Sequence, residues 1–165
     1  MKIVITGTPG VGKSTVAEKL AEKLGLKLYK EKEIVVGKKI GGEIEADLGR
    51  LAEFFKDKDN FVAEGHLLCE ISIKDAIVFV LRCDPHILKK RLKERGYDEQ
   101  KILDNLICEA LDYCTIMAEK NYEKVFEIDV SKKSVDEVVE KILKIIKGEE
   151  KGEKVDFSHF ILELY

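Results

Sequence analysis

Lys2-Ile3-Val4-Ile5-Thr6-Gly7-Thr8-Pro9-Gly10-Val11-Gly12-Lys13-Ser14-Thr15 opens the chain. An apolar, β-prone run passes directly into Gly-x-x-x-x-Gly-Lys-Ser. Helical spacing follows at once, with Val16, Leu20 and Leu24 on one face and Glu18, Lys19, Glu22 and Lys23 on the other. Strand, glycine-rich loop and helix in that order make a phosphate-binding loop. Glycines let the backbone turn its N–H groups inward at phosphate oxygens, and the helix beginning near Lys13 adds its positive N-terminal end. Lys13 can reach the β- and γ-phosphates of a nucleoside triphosphate, and the Ser14 hydroxyl can ligate Mg²⁺ with Thr15 beside it. Gly7, Pro9, Gly10, Val11, Gly12, Lys13, Ser14 and Thr15 are therefore the candidate site for ATP and Mg²⁺.

Outward from the loop, apolar strand-like runs alternate with amphipathic segments. Leu26–Tyr29, Phe61–Ala63, Ile77–Leu81 and Val125–Ile128 read as further strands. The continuous apolar run at 77–81 is typical of a strand covered on both faces. Ile44, Leu48, Leu51 and Phe55 share one helical face. Asp84-Pro85 starts another helix as N-cap and first turn. A long helix is expected over about 98–120, with Ile102, Leu103, Leu106, Ala110, Tyr113 and Met117 as its apolar set. Ser134 and Glu137 form a capping box for a last helix that stops at Gly148. Residues 30–42, with Gly37, Gly41 and Gly42, are Lys/Gly-rich and without period. Residues 149–156 are charged and expected to be mobile, and Phe157–Tyr165 carries apolar residues able to dock. The alternation predicts a three-layer α/β/α fold of the phosphate-loop NTPase type around a five-stranded parallel sheet. Ligands of such a sheet bind at the carboxyl ends of its strands, where Gly7, Glu64 and Arg82 all fall.

The 165 residues suffice for one domain with a real core. With 45% hydrophobic and 37% charged residues and a net charge of −3, a soluble, cytoplasmic protein is expected. The acidic balance argues against broad nonspecific nucleic-acid binding, so no direct DNA contact is expected. No apolar run approaches membrane-spanning length. Cys69, Cys83, Cys108 and Cys114 form no Cys-x-x-Cys pair and read as reduced thiols.

Only four of the 29 basic residues are arginines, Arg50, Arg82, Arg91 and Arg95. Arginine's planar fork binds phosphate bidentately, whereas lysine acts as a point charge. Arg91 and Arg95 lie one helical turn apart beside Gly96, placed to meet the γ-phosphate from one side. Glu64 ends the strand at 61–63, where a carboxylate can hold Mg²⁺ through water or orient a nucleophile. His66, two residues on, is a candidate acid/base or positioning group. His86 and His159 carry no surrounding motif and read as structural.

The phosphate loop, Glu64-Gly65-His66, Val80-Leu81-Arg82, Arg91-x-x-x-Arg95-Gly96-Tyr97 and Asn105-x-x-Cys108-Glu109 together resemble the adenylate kinase isoenzyme 6 family. These are small nucleoside-monophosphate-kinase-like proteins of archaea and eukaryotes, also known as ribosome-assembly ATPases. The resemblance covers about residues 1–147. It implies one kinase domain with a monophosphate-binding insertion at about 30–57 and a short lid at about 94–105, leaving 148–165 as a C-terminal tail. It also implies catalytic roles for Lys13, Glu64, His66, Arg91 and Arg95, ATP contacts from Arg91, and metal ligation by Ser14 and Glu64. The activity implied is ATP + AMP = 2 ADP, with ATP hydrolysis and a small-subunit ribosomal protein partner as the alternative. Two departures matter. Glu64 stands where the family usually has aspartate. Ordinary adenylate kinases also place an AMP-clamping arginine just after the third strand, and none follows Glu64-Gly65 here until Arg82. Weak AMP kinase activity and plain ATP hydrolysis both stay open. A kinase for another small metabolite is compatible with the loop as well.

Overall fold

The computed structural model describes residues 1–34, 37–40 and 43–164, and between 35 and 46 it gives only the course of two strands. Gly41 and Gly42 of the Lys/Gly-rich stretch and the docking of Tyr165 lie outside the described residues. In chain order the elements are β1 (Lys2–Thr6), α1 (Lys13–Leu24), β2 (Lys27–Lys30), α2 (Glu31–Ile34), β3 (Gly37–Ile40), β4 (Glu43–Ala46), α3 (Leu48–Phe55) and β5 (Phe61–Glu64). A 3₁₀ turn follows at Leu67–Glu70. Then come β6 (Ile77–Arg82), α4 (Pro85–Glu94), α5 (Glu99–Ala110), α6 (Tyr113–Asn121), β7 (Lys124–Asp129), α7 (Val135–Ile146) and a second 3₁₀ stretch, Ser158–Leu164.

Five strands form one parallel sheet in the order β2-β5-β1-β6-β7, while β3 and β4 make a separate antiparallel hairpin. Side chains alternate across the sheet with the strand period of two. Ile3, Ile5, Val62, Phe79 and Leu81 face a core with α1, α4, α5 and α7. Val4, Ala63, Val78 and Val80 face a second core with α3, α6 and the 3₁₀ turn. The sheet is covered on both sides, as the apolar run at 77–81 requires.

Local signals hold at several ends. Asp84 caps α4 through His86 N at 2.8 Å, and Ser134 with Glu137 closes the capping box of α7. Three expectations change. Ile44 lies in β4, paired with Lys39, so α3 begins only at Leu48, where Asp47 caps it through Arg50 N. The helix expected over 98–120 is two helices, broken where Asp112 takes a left-handed conformation at φ 59. Aspartate tolerates that region better than most residues. The charged stretch after α7 is not free of the domain. Glu153 pairs with Glu127 at the sheet edge, and its carboxylate takes Lys133 and Lys141. Beyond it Phe157 and Phe160 are buried, Phe160 in the core with Ile102 and Leu106 of α5.

The described residues contain no helix long and apolar enough to cross a membrane. All four cysteines are free thiols.

Candidate active site

Gly7 follows β1 with φ 146, and a Cβ there would stand 2.6 Å from the Leu81 carbonyl oxygen. Only glycine lets β1 and β6 run this close while the chain turns into the loop. Val11 is buried in the core, so it offers the loop its backbone alone. Gly12 precedes α1 at φ 96, and no side chain caps the helix. The first N–H groups of α1 thus open into the cleft, a built anion site. Lys13 Nζ donates to the Thr8 carbonyl oxygen at 3.2 Å. Burial holds its ammonium below the ordinary lysine range, against the pull of the Glu64 and Glu31 carboxylates.

Ser14 Oγ donates to Glu64 Oε1 at 2.9 Å, so the helix hydroxyl and the strand carboxylate converge. Both are hard oxygen ligands suited to Mg²⁺. No group of three His, Cys, Asp or Glu side chains among the described residues could cage a metal alone.

Arg91 and Arg95 both face the loop. Arg91 Nη1 donates to the Gly10 carbonyl oxygen at 3.5 Å, and Arg95 sits at the end of α4 before Gly96. Three joined depressions run past them. One of about 240 Å³ has a valine floor (Val130, Val135, Val138) between Arg91 and Lys133. A second, about 190 Å³, is bordered by Pro9, Gly12, Lys13, Ser14, Thr15 and Tyr97. The third, about 500 Å³, lies between Glu31, Lys32, Glu64, His66 and Leu67. Arg95 borders all three. The His66 ring is half exposed. Desolvation and the Lys13 charge hold its imidazole below the ordinary value.

Arg82 is not in the cleft. Its side chain is wholly buried and ion-pairs with Glu109 at 3.1 Å, Asp112 at 2.6 Å and Glu127. It lies 5.6 Å beneath the Phe157 ring. Burial opposes its charge, but Glu109, Glu127 and Asp112 together keep it ionised. Its position at a strand end therefore serves a buried network instead of phosphate. The network still touches the loop, because Thr8 Oγ1 donates to Glu109 Oε1 at 3.2 Å.

Two sets of site residues were not visible in the sequence. Val130 and Lys133 lie in the β7–α7 turn, which is stiffened by Ser131 bonding Asp129 and by Lys133 Nζ bonding the Asp129 carbonyl oxygen. Glu31 stands 5% exposed in the largest lobe, where its Oε1 accepts from Leu67 N at 2.8 Å. Burial pushes its carboxyl up to about 7, against the Leu67 bond and the Lys13 charge.

A five-stranded parallel sheet with a phosphate loop after its first strand defines a nucleoside monophosphate kinase-like fold. A family profile described as an AAA domain matches residues 3–112. A protein of Pyrococcus abyssi named "Putative adenylate kinase" is 40% identical over 156 residues, covering 90% of this chain and 85% of its own. A protein of the same name from Pyrococcus furiosus is 45% identical over 154 residues, covering 88% and 84%. The chain belongs to this family. Shikimate kinase from Acinetobacter baumannii, solved with shikimate, superposes with a TM-score of 0.63 at 20% identity, covering 90% of this chain and 94% of that one.

Proposed function

We propose that the chain is an ATP-dependent nucleoside monophosphate kinase with AMP as acceptor, of the adenylate kinase isoenzyme 6 type. One observation carries this: Arg95 borders every lobe of a cleft whose centre is the phosphate loop and the uncapped start of α1. The valine-floored lobe suits the base and ribose of ATP, the middle lobe its phosphates, and the largest lobe the monophosphate. The names of the archaeal relatives support the same reaction.

In this reading, an acceptor phosphate oxygen attacks the γ-phosphorus and the bond to the β-phosphate oxygen breaks, leaving ADP on both sides. The barrier falls by positioning and charge neutralisation. Lys13 and the α1 N–H groups hold the β- and γ-phosphates, with the other loop residues shaping the cradle. Arg91 holds the donor, and Arg95 reaches the group in transit. Ser14 and Glu64 would hold hydrated Mg²⁺, which would supply neutralisation of the charge on the transferring phosphoryl group. The link Arg95–Asp98 and the first turns of α5 form the short lid.

The acceptor lobe also favours a second reading. Arg95 is the only arginine among its described lining residues, and Glu31 is buried beside it. Water is then a competent acceptor, and ATP hydrolysis would serve an assembly factor that binds a small-subunit ribosomal protein. ADP formation with and without AMP separates the two. An acceptor screen that finds AMP inert and another monophosphate or hydroxyl compound active overturns the AMP assignment.

Two substitutions test the roles. Arg95→Ala should lower kcat by roughly 10³-fold, the scale of an arginine acting on the transferring phosphoryl group, while ATP affinity changes little. Parental kcat in this variant would mark Arg95 as a solvated helix end. His66→Ala should leave ATP binding intact and lower AMP phosphorylation or ATP hydrolysis by roughly 10²–10⁴-fold. If steady-state rates of both reactions match the parent, His66 is structural.

A further inference from the structure

Glu31 belongs to no motif in the sequence, yet it is buried as deeply as Glu64, the other acid lining the acceptor lobe. One oxygen is fixed by Leu67 N at 2.8 Å. The other stands 3.3 Å from His66 Nδ1. The backbone makes room for this. A Cβ on Gly65 would fall 2.3 Å from the Glu31 side chain, so only glycine at 65 allows Glu31 to lie against the turn that carries His66. The Gly65 carbonyl oxygen in turn accepts from buried Thr6 Oγ1 at 2.8 Å, which ties the turn to the sheet.

We propose that Glu31 is the positioning residue for His66: its free oxygen accepts the Nδ1 proton and leaves Nε2 as an unprotonated acceptor directed to the incoming group. This rests on the catalytic role given above to His66. A carboxylate behind the far nitrogen selects the imidazole tautomer and steadies the imidazolium formed in the reaction. The pair stands here as a close contact without hydrogen-bond alignment, and catalytic bonds are often long or poorly aligned before substrate closes the site. Lys13, Glu64, Lys32 and Arg95 face the same lobe and share its field.

The consequence concerns the acceptor. A group opposite an unprotonated Nε2 must bring a proton: water, a hydroxyl, or the protonated oxygen of a monophosphate. That O–H proton passes to Nε2, the oxygen bonds the γ-phosphorus, and the electron pair of the breaking bond leaves on the β-phosphate of ADP. No further reactant is needed.

The test uses the whole protein at a pH well above neutrality, where Glu31 is ionised. Nitrogen-15 NMR of the His66 ring should show the proton on Nδ1. In Glu31→Gln the amide keeps the Leu67 bond through its oxygen, but its NH₂ donates to Nδ1. The proton should then move to Nε2, and kcat for ATP hydrolysis, whose acceptor water still carries a proton at this pH, should fall roughly 10²–10⁴-fold, the contribution of a positioned acid/base group, with the KM for ATP unchanged. Glu31→Asp retains an acceptor and should keep the parental tautomer with a smaller loss. The amide of Glu31→Gln buries no charge, so that variant should melt no lower than the parent. Nε2 protonation in the parent overturns the proposal whatever the variants do. Parental kcat in Glu31→Gln beside a loss in His66→Ala overturns this inference alone. Parental rates in His66→Ala overturn the role of His66 and this inference with it.

Discussion

Lys13→Ala is expected to lower turnover by roughly 10³-fold or more, the scale on which charged groups stabilise a transferring phosphoryl group, while the fold survives. Lys13 is the first residue of α1, and the only described bond of its side chain is from Nζ to the Thr8 carbonyl oxygen within the loop. The apolar face of α1 lies further on, in Val16, Ala17, Leu20 and Ala21, and alanine continues a helix at least as well as lysine. Nothing in the core therefore depends on the ammonium. The site does depend on it. Glu64 and Glu31 both act on Lys13, and without it two carboxylates would face the triphosphate with less opposing charge. ADP production and thermal melting, measured on the same preparation, check both halves. A folded Lys13→Ala protein with parental turnover would remove the basis for placing the phosphates at this loop.

What was legible in the sequence was local. The phosphate loop, the five strands and the caps at Asp84 and Ser134 all rest on interactions within a few residues. What was not legible depends on distant partners. Arg82 shares a strand end with nothing that reveals its fate, because Glu109, Asp112 and Glu127 lie 27, 30 and 45 residues away. The break at Asp112 was hidden because Leu106, Ala110, Tyr113 and Met117 keep helical spacing straight through it. Glu31 sits in a stretch of charged residues without period. Only the turn at Gly65, brought alongside by the pairing of β2 with β5, makes it a buried acid. The apolar tail did announce that it would dock. Its surface proved to be α5 of the same chain, and the strand-edge pairing of Glu153 that leads it there had no sequence signal.

Replacing Arg82 with methionine should be among the most destabilising single changes in the protein. The side chain is 0% exposed and its guanidinium also bonds Thr115 Oγ1 and the Glu109 carbonyl oxygen. Among the described residues every buried side-chain nitrogen and oxygen has a partner, so the network is complete as it stands. Methionine approximates the volume but leaves Glu109, itself 1% exposed, without its counter-charge. Removing one member of a buried ion pair costs roughly 3–5 kcal/mol. For a chain of this size that is a fall in melting temperature on the order of 10 °C. Arg50→Met supplies the comparison. It removes the same charge from an exposed side chain whose contact with Asp47 is 3.6 Å long, and should change stability by at most about 1 kcal/mol. The loss at Arg82 should also reach the nucleotide. Glu109 holds Thr8 of the phosphate loop and the Cys83 backbone N–H, and its carboxylate will rearrange once the guanidinium is gone. ATP affinity should therefore fall in Arg82→Met even below its melting transition, and stay parental in Arg50→Met. Equal melting temperatures for the two variants would show that the buried charges relax without cost. Parental ATP affinity in a destabilised Arg82→Met would show that the loop stands independently of the network beneath it.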